Sequence, residues 1–559
     1  MGIVAGVDSS AEHTRIVVCD ADSGAVLNQG HAEHPPERDD PQSWLVSLGK
    51  AAADGQLADV AAIGVSAQQQ GLLPLDDTGS PVSAALLGND RRMESAAADL
   101  VDALGGREPW AHAVGAVPQA GHPVTKLRWL ARNDPDAAAR TAELLQPHDW
   151  LVWQLLGRPA RRTTDRGEAS GTGYWSAATG AYRPDLVALA LGRQAALPDV
   201  LAPAEPAGRT PEGIWISAGT GETMAAALGL GLEPGDAVIS LGASGSVFAV
   251  HHEALIDPTG TITSYADATG LHLPVVRTLN ATRVLRGTAD MLGTDLDGLS
   301  ERALESTPGA SGLVLLPYLE GEQTPDLPHA AGSLHGLRRE SMQPEHLARA
   351  AAEGMLCGLV DALDVLRGRG VQVRRVFLLG QAAGLPAVQA AAPNLLGARV
   401  VVPQPADYSA LGAARQAAWV LSGAARPPRW PEAEAEVFDP DDQLAVGQAV
   451  RQQYATVREE AHPGAFTAGA GAPPGIRNDA YAGADGGYGG EPGAYGGDLG
   501  TYSGDSGTYA GEAGALGGQH GGYGGPGGPG GPGDTLGGQV GGYGGADGTF
   551  GGAGGAFGG

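Results

Sequence analysis

At 559 residues the chain is too long for one hydrophobic core, and two or three domains are expected. Its formal charge of −28 at pH 7 argues against nucleic acid as a partner, because Lys and Arg are needed to displace phosphate counterions. The two cysteines, Cys19 and Cys357, sit in apolar surroundings and make no disulfide framework. No uninterrupted apolar run reaches the roughly 18 residues of a membrane span, and the first residues lack a basic region followed by an apolar one. The expectation is a soluble cytoplasmic protein with no membrane partner.

Residues 3–7 form a short apolar strand ending at Asp8, residues 9–12 a tight turn, and 14–20 a second strand. The segment DADSG at 20–24 turns the chain into a third strand, so the chain opens as a meander of hairpins. Helical spacing follows at 41–53, a strand at 60–65 and another helix at 91–104, the alternation of an α/β domain. Residues 214–250 then restart the pattern. An apolar strand meets a Gly-rich turn at 218–221, Glu222 opens a small-residue helix, and a strand at 237–241 leads into a second small-residue loop at 242–246. Gly, Ser and Thr let backbone N–H groups close on an anion. A carboxylate between two such loops suits proton abstraction beside a phosphate, and an ordinary βα turn with a solvated Glu suits the same residues. Beyond it lie a long helix at 344–366 stopped by glycines at 368–370, strands at 376–379 and 399–402, and a closing helix at 409–421.

In this order of blocks the chain resembles the FGGY carbohydrate kinases, most closely those of the actinobacterial xylulokinase type. The blocks are GVDSS at 6–10, the Gln pair before Gly71, NDRR at 89–92, PVTKLRWLARNDP at 123–135, PHDWLVWQL at 147–155, TDRGEASGTGYW at 164–175, GTGETMAAALGLGLEPGD at 219–236, YLEGEQTP at 318–325 and DYSALGAA at 407–414. The resemblance implies an α/β fold of two actin-like, ribonuclease H-like domains, residues 1–236 on the sugar side and 237–458 on the nucleotide side, with sugar and ATP meeting in an interdomain cleft. It assigns Glu222 as catalytic base, Gln69, Gln70, Asn89 and Asp90 to the sugar, and Asp8, Ser9, Ser10, Arg15, Gly242, Ser244, Gly380 and Gln381 to the nucleotide. Asp8 would organise Mg2+. Lys126, Asp165 and Trp150 are taken as structural.

Several positions depart from the family pattern. Ala11 and Glu12 stand where Thr and Gln are expected, and a carboxylate in a phosphate-binding turn repels its ligand. Gln70 replaces a His, Gly88 a Trp, Glu222 an Asp, Ala243 a Thr, Gln323 an Arg, Asp326 an Asn and Gln381 a Gly. Two functions stay open on this footing: ATP-dependent phosphorylation of a ketopentose such as D-xylulose, and a catalytically impaired relative that binds sugar or regulates. A homodimer is compatible with either.

From about residue 463 to 559 the composition turns to Gly, Ala, Tyr and Pro, with Tyr481, Tyr488, Tyr495, Tyr502, Tyr509, Leu516 and Tyr523 every seven residues. Burying one such side chain contributes about 1.5–3 kcal/mol, whereas fixing seven backbones costs about 7–14 kcal/mol. The expectation is a disordered tail whose aromatic groups self-associate weakly.

Overall fold

The computed structural model describes residues 2–53, 57–88 and 91–466. The expectations for the tail from 467 onward, and for Asn89 and Asp90, fall outside the described residues.

The first sheet grows from the expected meander. Strands β1 (Ile3–Ser9), β2 (His13–Asp20) and β3 (Val26–Glu33) pair antiparallel in sequence, and β4 (Ala62–Ala67) adds parallel to β1. The short strands Trp215–Ile216 and Gly208–Arg209 extend the same edge, and Thr220–Gly221 also pairs with β4, so a late segment returns to the sheet and carries Glu222 to its end. Strands β1 and β4 are apolar along almost their whole length because both of their faces are covered. Helices α1 (Pro123–Asn133), α2 (Pro147–Leu155) and α3 (Arg166–Gly171) belong to this half. Trp150 of α2 packs edge-on against Trp44 at 5.8 Å, in the core beneath the sheet.

Helix α4 (Glu222–Leu230) follows Gly221 and ends at Gly231, whose φ of 69° stops it. The second sheet then repeats the design of the first. Its strands are β5 (Asp236–Leu241), β6 (Gly245–Ala249), β7 (Ile262–Ala266), β8 (His272–Thr278), β9 (Arg375–Leu379), β10 (Arg399–Pro403) and β11 (Ala435–Phe438), in the spatial order β7-β8-β6-β5-β9-β10-β11. The hairpin β5–β6 is antiparallel, and β9 runs parallel to β5. Helix α5 (Pro344–Gly368) buries Leu356, Leu359, Leu363 and Leu366 against this sheet. The two-domain α/β fold expected from the sequence is thus present.

Helix α6 (Tyr408–Ser422) joins the halves. It lies within the second half of the sequence, yet packs on β1 and β4 of the first sheet and on α4. Glycines make the approach close enough. A Cβ on Gly6 would sit 1.8 Å from the Ala410 carbonyl oxygen, and one on Gly412 the same distance from that of Ala225. Asp407 caps this helix by accepting from the Ala410 N–H at 2.9 Å. The ends of β1, α4 and α6 are therefore held against one another by backbone contact. Among the described residues no helix is long and apolar enough to cross a membrane.

Candidate active site

Register places the charged groups. Asp8, near the end of β1, lies opposite Arg15 of β2 and beside Ser66 of β4, whose hydroxyl donates to Asp8 Oδ1 at 2.8 Å. Arg15 Nη1 pairs with Asp407 Oδ2 at 3.5 Å. Glu222 opens α4, where a carboxylate is favoured by the helix dipole. Asp8, Arg15, Glu222, Asp407 and Arg277 of β8 all line one cleft of about 960 Å³. Burial, then the neighbouring Asp407 and Glu222, push the Asp8 carboxyl well above its ordinary range. Burial also raises Glu222, Arg277 draws it back down, and Asp407 pushes it up again.

These carboxylates suit a divalent cation, which would relieve the repulsion that raises Asp8. Among the described residues no group of three His, Cys, Asp or Glu side chains is arranged to hold a metal ion. Asp8 is the residue that would hold such a cation.

The other end of the cleft is lined mostly by uncharged residues, with Glu436 beside Val402 as its carboxylate. Gly380 follows β9 with φ of 97°, and a Cβ there would meet the Leu241 carbonyl oxygen at 2.5 Å. Gln381 is exposed, and its Oε1 accepts from Arg286 Nη2 at 2.6 Å, so its side chain is engaged at the rim. Gly242 and Ser244 lie in the exposed turn of the β5–β6 hairpin, while Ser240 and Ser246 at its base line the cleft. Ser9 is buried and accepts from the Thr14 hydroxyl at 3.4 Å, on the side away from Asp8. Ser10 closes the β1–β2 turn on the His13 carbonyl at 3.1 Å. Glu12, the acidic departure in that turn, is 73% exposed and pairs with Arg38 at 3.3 Å, so its charge faces solvent.

Gln69 and Gln70 sit behind Glu222. Gln69 Oε1 accepts from the hydroxyl of Thr223, and its Nε2 donates to Met224 Sδ at 3.1 Å. Gln70 adopts φ of 62°, and three bonds fix this turn. Lys126 Nζ donates to its carbonyl at 2.6 Å, its N–H donates to Glu168 Oε2 at 3.3 Å, and its Nε2 donates to the Tyr265 hydroxyl at 2.8 Å. Glu168 also accepts from Gln146 Nε2 at 2.7 Å, and burial, then Asp165 and Asp149, hold its carboxyl well above the usual range. Lys126, Asp165 and Trp150 are absent from the cleft wall. Asp165 caps α3 and accepts from the Thr220 hydroxyl at 2.9 Å, which fixes the strand leading to Glu222.

Sequence reasoning did not single out Arg277, Asp407, Tyr265 or Glu168. Asp407 and Glu168 stand inside the DYSALGAA and TDRGEASGTGYW blocks, which was a usable signal. Arg277 carried one too, as a lone charge in the otherwise apolar strand HLPVVRT.

Residues 3–231 match the N-terminal domain of the FGGY family of carbohydrate kinases, and residues 237–421 match its C-terminal domain. A xylulose kinase of Streptomyces coelicolor is 41% identical over 456 residues, covering 78% of this chain and 92% of that protein. One from Streptomyces rubiginosus is 39% identical over the same shares. The crystal structure of a xylulose kinase from Bifidobacterium adolescentis superposes with a TM-score of 0.76 at 36% identity, covering 82% of this chain and 99% of that one.

Proposed function

The chain belongs to the FGGY family of carbohydrate kinases, and from that premise we propose that it transfers the γ-phosphoryl group of ATP to a hydroxyl of a ketopentose such as D-xylulose. The observation that carries this reading is the shared wall of Glu222, Asp8 and Arg15 at one end of a cleft whose other end is the glycine turn at Gly380. Glu222 takes the proton of the attacking hydroxyl, that oxygen bonds to the γ-phosphorus, and the bond to the β,γ-bridging oxygen breaks to leave ADP. Arg15 and the N–H groups of the β5–β6 turn, Gly242 to Ser244 included, face the phosphate charge. Mg2+ held near Asp8 would neutralise that charge further when bound. Gln69 and Gln70 present the sugar end, and Gly380 and Gln381 the nucleoside end. Dependence on ATP suits a cytoplasmic setting.

The impaired-kinase alternative rested on departures in nearly every ligand-contacting motif, and one of them, Glu12, is exposed and paired with Arg38. The test is ADP release with D-xylulose, run beside calorimetry for sugar and for MgATP. Sugar-dependent ADP release is expected. Binding of both ligands with no ADP formed would replace this reading with the binding-protein one.

A further inference from the structure

Tyr265 is wholly buried and has no part in the assignments above, yet its hydroxyl joins side chains from the two halves of the fold. A buried hydroxyl needs partners. These are Gln70 Nε2 at 2.8 Å and Arg277 Nη2 at 3.3 Å, both donating to the phenol oxygen. Gln70 belongs to the turn after β4 in the first half, and Arg277 to β8 in the second. Arg277 is itself fixed, because it lies opposite Ser246 of β6 and its carbonyl accepts from the Thr324 hydroxyl at 2.8 Å. A guanidinium only donates, so it holds the Tyr265 oxygen as an acceptor.

Helix α3 sets the reach of Tyr265. The Ala266 N–H donates to Ser170 Oγ at 2.9 Å, and a Cβ on Gly171 would come within 2.8 Å of Tyr265 Cε1, so β7 docks on this helix by backbone and ring together. On the same helix Glu168 accepts from the Gln70 N–H at 3.3 Å, while Lys126 donates to the Gln70 carbonyl at 2.6 Å. One short helix therefore places both the peptide of Gln70 and the phenol that meets its side chain. The peptide needs that support, since its φ of 62° is left-handed and disfavoured for a residue with a Cβ. With Nε2 committed to Tyr265, Oε1 is the atom of this amide that makes no hydrogen bond among the described residues, on a side chain that stays partly exposed. An amide oxygen only accepts, so the ligand group it takes is an O–H or N–H donor.

We propose that Tyr265 is a positioning residue for the sugar: by holding Gln70 Nε2 from the opposite half, it leaves Gln70 Oε1 to accept from a sugar hydroxyl. The sugar end is thus completed only where the two halves meet. Tyr265 has no exposed surface and does not touch the ligand; it acts through Gln70. An unanchored glutamine would lose rotamer freedom when the sugar bound, whereas the anchored one is already ordered. The identity of the ligand rests on the kinase reading, and the Gln70–Tyr265 bond stands apart from it.

The deciding experiment is a double-mutant cycle on sugar affinity, read by calorimetry with D-xylulose on the full chain. Tyr265→Phe removes one oxygen and is expected to weaken binding about 5- to 50-fold, the range for leaving a donor without its buried partner. In a Gln70→Ala background the same change is expected to do nothing further, because the group it positions is gone. Effects that add instead overturn the inference, since they make Tyr265 a packing residue only. Kinetics supply the second readout. In Tyr265→Phe the sugar KM is expected to rise by the same factor with kcat held within about threefold, as when binding is lost equally from substrate and transition state. A lowered kcat at unchanged KM overturns the sugar role. The third readout needs no ligand: in the full chain carrying 15N-labelled glutamine, with Gln70→Ala for assignment, NMR follows exchange of the Gln70 side-chain amide protons. Exchange is expected to be slow in the unaltered chain and fast in Tyr265→Phe. Unprotected protons in the unaltered chain overturn the inference, and this comparison decides even if Tyr265→Phe does not fold. If the unaltered chain neither binds D-xylulose nor releases ADP, the kinase reading fails, and the amide exchange still judges the bond between Gln70 and Tyr265.

Discussion

The two ends of the cleft are built from opposite materials. At the transfer end, charged side chains from β1, β2, α4, β8 and the cap of α6 converge, and burial with these neighbours shifts the protonation of Asp8 and Glu222. At the nucleoside end the wall is Gly380, Ala383, Gly384 and the prolines at 403 and 405, with Glu436 the one carboxylate among them. The first end depends on which side chains are present, because Coulomb interactions in a partly desolvated site are strong and specific. The second depends on where the backbone lies. Substitutions should therefore act through chemistry at one end and through shape at the other.

The largest effect is expected at Glu222. Glu222→Ala removes the base but leaves α4 intact, since alanine favours a helix. A loss of about 10² to 10⁴-fold in kcat follows from the usual contribution of a positioned base, with nucleotide affinity kept. Steady-state rates and MgATP calorimetry on the same preparation separate the two quantities. Equal turnover in Glu222→Ala and the unaltered chain would remove the base from the mechanism and erase the contrast between the ends.

At the nucleoside end the sharpest change is Gly380→Ala. The left-handed φ of 97° and the 2.5 Å approach to the Leu241 carbonyl oxygen both oppose a Cβ. Strain of about 1 to 3 kcal/mol at such a site pushes the turn out of place and weakens nucleotide binding by roughly 5 to 100-fold, at 1.4 kcal/mol per decade. Sugar affinity should not move. Loss of sugar binding together with nucleotide binding would show that the two ends are not independent.

Most of the architecture was legible in the sequence because it rests on local pattern. The opening meander, the restart at residue 214, the long helix stopped by its glycines and the closing helix all carry apolar periodicity or caps that need no distant partner. Helix α6 shows where that stops. Its boundaries were readable, but its seat on the first sheet depends on Gly6 and Gly64 meeting the backbone of Ala410 and Ala413 across more than 300 positions of sequence. The site divides the same way. Asp8, Arg15, Glu222 and Gly380 stand in motifs. Arg277 and Tyr265 act through side chains that meet only after β6, β7 and β8 pair, so their roles emerge in three dimensions. Glu12 is the converse case, since its position in a phosphate turn suggested repulsion and its rotamer sends the charge to Arg38.

The smallest effect is expected at Gln381, where sequence and structure invite opposite forecasts. A Gln in a turn that must lie flat against a nucleoside reads as an obstruction, and its removal would then tighten nucleotide binding. In the fold the side chain is exposed and held by Arg286 Nη2 at 2.6 Å, while the flat surface is supplied by the Gly380 backbone beside it. An exposed hydrogen bond of this kind contributes on the order of 1 kcal/mol at most, and Arg286 regains water when it breaks. Gln381→Ala should therefore change the MgATP dissociation constant by less than about fivefold, since 1.4 kcal/mol is needed for each tenfold change. Calorimetry on the variant and the unaltered chain measures this directly. A gain of tenfold or more would mean that Gln381 leaves Arg286 and lies across the nucleoside surface, and that this end of the cleft is governed by a side chain after all.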